Sequence, residues 1–251
     1  MIADALLMSN SRPPDGDVPF AHAAEVLREH LGTRVVWFVP HALADHDDYT
    51  EAVRRALDRV LGGPADGGPD LRGIHREPDP AAVLERADPA REAVFVGGGN
   101  SFRLLRRVRD LGVLDALRHR TDLRYAGASA GSNLACPTIR TTNDMPIVEP
   151  GTFDALHRVP FQINPHYLDP DPHSTHRGET REQRIAEFHE ENDVPVVGLR
   201  EGAWLVHRAE RSPATLTLVG HTARLFRRGE EPTEHAAGTD LTWLLSRVTS
   251  S

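Results

Sequence analysis

Short apolar runs alternate with amphipathic stretches along most of the chain, and no other feature restricts the fold as much. Strand-like runs fall at residues 6–9, 34–40, 93–97, 123–126, 161–164 and 195–199, and the spacing of apolar residues predicts helices over 19–31, 48–61, 80–87, 101–109, 131–136 and 179–190. Strand and helix in steady succession imply an α/β fold: a doubly wound, mostly parallel sheet with helices on both faces. Val35-Val36-Trp37-Phe38-Val39 is apolar at every position, as a strand covered on both faces requires. From Ala203 the pattern changes to short runs over 203–207, 215–219 and 223–226, which predict an antiparallel edge. The Pro/Gly/Asp stretch 62–70 reads as a surface loop. No repeat or linker divides the chain, so residues 1–251 are expected to form one domain.

The side-chain inventory removes several chemistries. A net charge of -8 opposes binding to nucleic acid, and the arginine-rich pieces 103–109 and 118–124 read as solvated helix faces balanced by nearby acids. No apolar run approaches the length of a bilayer crossing, so no membrane partner is expected. The first eight residues carry Asp4 where a secretory signal has basic residues, and the lone Cys136 forbids an intramolecular disulfide; both point to a cytoplasmic protein. Every basic residue other than histidine is arginine. A phosphate-binding P-loop, a pyridoxal Schiff base and a Ser-Lys dyad all require lysine and are therefore excluded.

Against that background Gly127-Ala128-Ser129-Ala130-Gly131 stands out. It spells Gly-x-Ser-x-Gly at the end of a predicted strand and the start of a predicted helix, the arrangement of a nucleophile elbow. With lysine absent, a nucleophilic Ser129 needs a histidine base. In a doubly wound sheet, ligands bind beyond the carboxyl ends of the strands, and two further segments end predicted strands there. Gly97-Gly98-Gly99-Asn100 lacks dinucleotide-loop spacing. It reads equally as a tight turn or as an oxyanion hole in which the Gly99 N–H joins that of Ala130. Asn164-Pro165-His166-Tyr167 supplies His166, the best placed of 14 histidines to act as base.

Two acids are candidates to orient that base, and the residues leave both open. Asp144 would give the chain order Ser, Asp, His; Glu201, at another strand end, would give Ser, His, Glu. The run His166, Asp169, Asp171, His173, His176 has loose metal-ligand character but reads better as a polar loop, so no metal is expected. The acids of Asp45-His46-Asp47-Asp48 suit helix capping. Cys136 lies seven residues past Ser129, about 10 Å further along a helix axis at 1.5 Å per residue, too far to share an oxyanion hole. It reads as a small buried hydrophobe.

These motifs, taken in order, resemble the peptidase E family, the α-aspartyl dipeptidases among serine peptidases. The resemblance runs through Ser9-Asn10-Ser11, Val96-Gly97-Gly98-Gly99-Asn100-Ser101-Phe102, the elbow and its continuation over 132–146, Ile163-Asn164-Pro165-His166, and Gly178-Glu179-Thr180-Arg181-Glu182-Gln183-Arg184-Ile185. It implies a flavodoxin-like fold related to class I glutamine amidotransferases, with serine in place of cysteine at the elbow. It also implies cofactor-independent hydrolysis of dipeptides with an N-terminal aspartate, Ser129 as nucleophile, His166 as base, Asp144 as the acid usually assigned and Glu201 as an acid also proposed. Arg181 matches the arginine proposed to hold the substrate's aspartyl side chain. An arginine fork suits that carboxylate, although a surface ion pair with Glu179 or Glu182 would also account for Arg181. Ala128 departs from a common aromatic residue and Arg200 from a common proline, and the segment from about Glu234 has no clear counterpart. Rival readings are a peptidase of β-aspartyl or cyanophycin-type bonds, a non-catalytic amidotransferase-like binding protein and a metallohydrolase. Monomer and homodimer fit the sequence equally.

Overall fold

The computed structural model describes residues 2–12, 16, 18–170 and 178–246. Its strands are β1 (Ala5–Met8), β2 (Val35–Val39), β3 (Asp70–Gly73), β4 (Glu92–Val96), β5 (Arg124–Ala128), β6 (Gln162–Pro165), β7 (Val196–Leu199), β8 (Trp204–Arg208), β9 (Thr215–Val219), β10 (Ala223–Phe226) and β11 (Thr233–His235). Its α-helices are α1 (Ala24–Leu31), α2 (His46–Leu61), α3 (Pro80–Arg86), α4 (Ser101–Asp110), α5 (Val113–His119), α6 (Ala130–Ala135) and α7 (Arg181–Glu191).

Seven strands form the main sheet in the order β3-β2-β4-β5-β1-β8-β9. The first five run parallel, and β8 and β9 close the sheet as an antiparallel edge, whereas 223–226, the third run expected in that edge, is β10 and pairs with β7 in a second sheet. Side chains alternate across it. Leu6, Met8, Phe38 and Phe95 face Leu27, Leu31, Val53 and Leu57 of α1 and α2 on one side. Leu7, Val39, Val94 and Val96 face Leu104, Leu105, Val108, Leu114, Leu117 and Leu134 of α4, α5 and α6 on the other. Both faces are thus covered, which is why these strands read as continuous apolar runs.

Three features differ from the sequence reading. Strands β6 and β7 do not extend the main sheet; they pair with each other in parallel and join β10 and β11 in a second sheet of order β11-β10-β7-β6. An apolar strand pattern reports burial but not which neighbour it pairs with. Residues 70–73 are an edge strand at the end of the expected loop, with Leu71 as their one large apolar residue and so no periodic signal. Helix α5 follows α4 through Gly112, whose φ of 69° turns the chain. The second sheet is not separate from the core: Ile163, Val197, Leu199 and Leu225 share a cluster with the main sheet's residues, while Tyr167, Val196 and Phe226 pack on Ile185 of α7.

Candidate active site

The elbow forms because two glycines allow it. Strand β5 ends at Ala128 and α6 begins at Ala130, leaving Ser129 between them at φ 52° and ψ -108°. A Cβ on Gly127 would lie 2.6 Å from the Gly131 carbonyl, and one on Gly131 would run into the Val96 carbonyl, so both positions exclude a side chain. The strained residue is tied down by its neighbours. Ser129 N–H donates to Met8 O at 3.0 Å, Ser132 Oγ donates to Met8 O at 2.7 Å, and Tyr125 Oη donates to Gly131 O at 2.6 Å.

Beside the elbow runs the glycine loop after β4. Gly97 N–H donates to Val39 O and Asn100 N–H to Ala42 O, while Gly99 takes φ 130° with a Cβ position crowded by Ala42 O at 2.8 Å. Among the described residues neither Gly99 N–H nor Ala130 N–H meets an acceptor. The buried Tyr49 hydroxyl bonds the backbone of Gly98, and burial pushes its pKa up to about 12. Gly99 lines the same cleft as Ser129, and N–H groups without an internal acceptor near a serine hydroxyl are what an oxyanion hole would use.

His166 follows β6 and is itself left-handed, at φ 52°. Its Nε2 lies 3.0 Å from Ser129 Oγ and its Nδ1 2.9 Å from Glu201 Oε1. The elements that carry these residues are stitched together: Asn133 Nδ2 of α6 and Thr141 Oγ1 both donate to Ile163 O of β6, at 2.7 and 2.8 Å. Serine, imidazole and carboxylate therefore form one hydrogen-bonded line across two sheets.

Asp144 stands outside that line. Its Oδ2 accepts from Ser101 N–H at 2.7 Å and Thr142 Oγ1 at 2.9 Å, capping the start of α4. Of the two acids the sequence left open, Glu201 is the one against His166, because β7 runs parallel to β6 and their carboxyl ends lie side by side. Arg200, the departure from proline, is held in place rather than loose: its guanidinium takes Asp169 at 2.8 and 2.6 Å and Glu234 at 2.9 and 3.0 Å. This accounts for the C-terminal segment as well, since Glu234 of β11 helps to fix the residue before Glu201.

Arg181 is the first residue of α7, behind a Thr180–Gln183 capping box. Neither expected surface partner takes it: Glu182 pairs with Arg224 at 2.8 Å and Glu179 with Arg184 at 3.5 Å. The Arg181 guanidinium has its pKa lowered chiefly by burial, with Asp144 the nearby charge opposing that effect. A cleft of about 460 Å³ opens over Ser129 and His166, with Arg12, Leu43, Tyr49 and Gly99 also on its wall. Arg181 is not on that wall, whereas Arg12 is. Sequence reasoning gave no role to Arg12 or Tyr49, and it placed Ser9 and Asn10 in a motif of the family resemblance without assigning them a role.

The remaining candidates take structural places. Asp169, from the loose metal run, serves Arg200, whereas Asp171, His173 and His176 lie outside the described residues. Among the described residues no group of three or more His, Cys, Asp or Glu is arranged to hold a metal ion. Asp45 caps α2 by accepting from Asp48 N–H at 2.9 Å. Cys136 is fully buried, its thiol pKa pushed up by burial and its Sγ–H directed at Ser132 O at 3.4 Å. No helix is long and apolar enough to cross a membrane.

An α/β sheet with a Gly-x-Ser-x-Gly elbow, a hydrogen-bonded histidine and a class I glutamine amidotransferase-like layout defines the molecule as a serine-hydrolase-type fold. Residues 5–213 match the model of peptidase family S51, and the chain belongs to that family. It is 56% identical over 245 residues to "Peptidase E" of Streptomyces coelicolor, covering 96% of this chain and 94% of that protein. It is 42% identical to "Probable alpha-aspartyl dipeptidase" of Drosophila melanogaster, covering 96% of this chain and 97% of that one. Among solved structures, a peptidase from an acI-B1 Actinobacterium superposes with a TM-score of 0.63 at 14% identity, covering 96% of this chain and 97% of that one. A putative peptidase E from Listeria monocytogenes gives 0.56 at 19%, covering 95% and 100%. These last two speak to the fold alone.

Proposed function

We propose that the chain is a serine dipeptidase that hydrolyses dipeptides with an N-terminal aspartate, with Ser129 as nucleophile, His166 as base and Glu201 as the acid behind it. The observation that carries this reading is the Ser129–His166–Glu201 line, at 3.0 and 2.9 Å, beside two undonated backbone N–H groups. His166 removes the Ser129 proton as Oγ attacks the aspartyl residue's own carbonyl, the one in the peptide bond to the second residue. The N–H groups of Gly99 and Ala130 hold the resulting oxyanion. His166 then gives its proton to the departing amine, and water, deprotonated by the same imidazole, releases aspartate from the acyl-enzyme. Glu201 holds the ring orientation and stabilises the imidazolium.

Arg181 is proposed as the cation for the aspartyl carboxylate. Its lack of a carboxylate within 4 Å among the described residues and the family resemblance support this assignment. The setting proposed is the cytoplasm, with a small peptide as substrate. The test is a panel of dipeptides varied at the first residue, with Ser129→Ala as control. Aspartyl dipeptides should be cleaved, and the variant should lose several orders of magnitude while remaining folded. Cleavage of the β-linked isomer of Asp-Leu in preference to Asp-Leu would overturn the α-aspartyl assignment.

A further inference from the structure

We propose that Ser9 is a positioning residue for this reaction, holding His166 and the Glu201 loop in register with Ser129. The inference rests on the serine-hydrolase reading of the Ser129 site. Ser9 is the residue after β1, completely buried, and its hydroxyl has two partners, one on β7 and one just past the end of β6. Its Oγ accepts from His166 N–H at 2.9 Å and donates to Leu199 O at 2.9 Å, while its own N–H donates to Ala203 O at 3.0 Å. The next residue continues the contact, with Asn10 Oδ1 accepting from Gly202 N–H at 2.8 Å.

These bonds act where the two sheets that carry the proposed catalytic residues meet. Ser129 belongs to the main sheet and sits directly beside Ser9: β1 and β5 run in parallel register with Met8 opposite Ala128. His166 and Glu201 belong to the second sheet, on the ends of β6 and β7. The distance from Ser129 Oγ to His166 Nε2 therefore depends on how two sheets are held together. Ser9 joins them at the backbone of the residue that carries the base. Among the described residues His166 itself makes its ring bonds to Ser129 and Glu201 and this one amide bond, while its left-handed backbone is flanked by Pro165 O, which accepts from Asn143 Nδ2 at 2.7 Å, and Tyr167 N–H, which donates to Leu199 O at 3.0 Å. Displacing a base by as little as an ångström reduces a rate by about 100-fold. The loss falls on kcat, because Ser9 touches no substrate.

The experiment compares wild type with Ser9→Ala, Ser9→Thr and Ser9→Cys, each checked for folding by thermal melting. Three quantities are read: kcat and KM on Asp-Leu, and the rate of covalent labelling of Ser129 by a fluorophosphonate. The downfield proton resonance of the His166–Glu201 bond is followed by NMR. Ser9→Ala is expected to lower kcat and the labelling rate together by about 10- to 100-fold, with KM within about threefold of wild type and the downfield resonance lost. Ser9→Thr, which keeps the hydroxyl, should recover most of both rates. A folded Ser9→Ala protein with wild-type kcat and labelling would overturn the proposal. If Ser9→Ala does not fold, equal labelling rates for the Thr and Cys variants would overturn it instead. Failure of wild type to cleave Asp-Leu would reject the dipeptidase reading, while the labelling comparison would still decide the role of Ser9.

Discussion

Glu201 Oε1 lies 2.9 Å from His166 Nδ1, although 35 residues separate the two in the chain. The contact exists because β6 and β7 are parallel neighbours, so that the residue after one strand and the second residue after the other emerge at the same end of the sheet. Asp144, the other acid in the sequence reading, is occupied at the start of α4. The two carboxylates should therefore separate by experiment. Glu201→Gln should lower kcat by about 100- to 10,000-fold, since an amide presents the wrong hydrogen-bonding partner to the ring. It should slow phosphonate labelling of Ser129 in step. Asp144→Asn should leave that labelling within about threefold of wild type, its cost appearing in KM through the altered surroundings of Arg181. Equal loss of labelling in both variants would return Asp144 to the relay.

Two arginines are available for an acidic substrate: Arg181 beside Asp144, and Arg12 on the wall of the cleft. If Arg181 takes the aspartyl carboxylate, Arg181→Ala should lower kcat/KM for aspartyl dipeptides by about 100-fold or more, the loss of a charge-assisted bidentate pair. Arg12→Ala should then cost less than about tenfold. The reverse ranking in steady-state kinetics would move the substrate carboxylate to Arg12.

The elbow leaves no room for a methyl group at Gly131, whose Cβ would meet the Val96 carbonyl, a backbone atom that cannot rotate away. Gly131→Ala should destabilise the protein by about 1–3 kcal/mol, the cost of overpacking a fitted site. In a chain of this size that corresponds to about 2–4 °C in Tm per kcal/mol. Differential scanning calorimetry would measure it, and an unchanged Tm would contradict the packing described.

Two buried histidines make stability depend on pH. Burial, with help from the Arg124 charge, lowers the His30 pKa to about 4, and burial beside His46, His75 and Arg107 lowers that of His41 to about 4, against an ordinary 6.5. Both therefore stay neutral in the folded protein while the unfolded chain takes up protons. Their contribution is fully present above about pH 6.5 and is lost as pH falls from there toward 4. The loss is of the order of 3 kcal/mol for each. His30→Gln, which keeps an N–H donor for Tyr125 O, should flatten the decline of Tm between pH 6.5 and 4.

Much of this architecture was legible in the residues. Nine strands and six helices register as apolar patterns because burial on one or both faces leaves its mark on which positions are apolar. Ser129 is legible for a different reason: only glycine fits at 127 and 131, so a local steric demand writes a local motif. His166 and Gly99 follow as residues at strand ends, where a doubly wound sheet collects its chemistry. Edge strand β3 left no such mark, since one buried leucine in four residues has no period.

What the sequence alone determined is the alternating α/β framework and the Gly-x-Ser-x-Gly elbow that makes Ser129 the proposed nucleophile, with the absence of lysine leaving histidine as its proposed base. Tertiary structure decided the partners. It split the late strands into a second sheet, put Glu201 rather than Asp144 against His166, drew Arg200 to Asp169 and Glu234, and brought Ser9 under the backbone of His166. The reason is physical: burial and steric fit act on each residue through its near neighbours and leave periodic traces. A hydrogen bond between residues 35 or 157 positions apart depends only on where two strand ends meet.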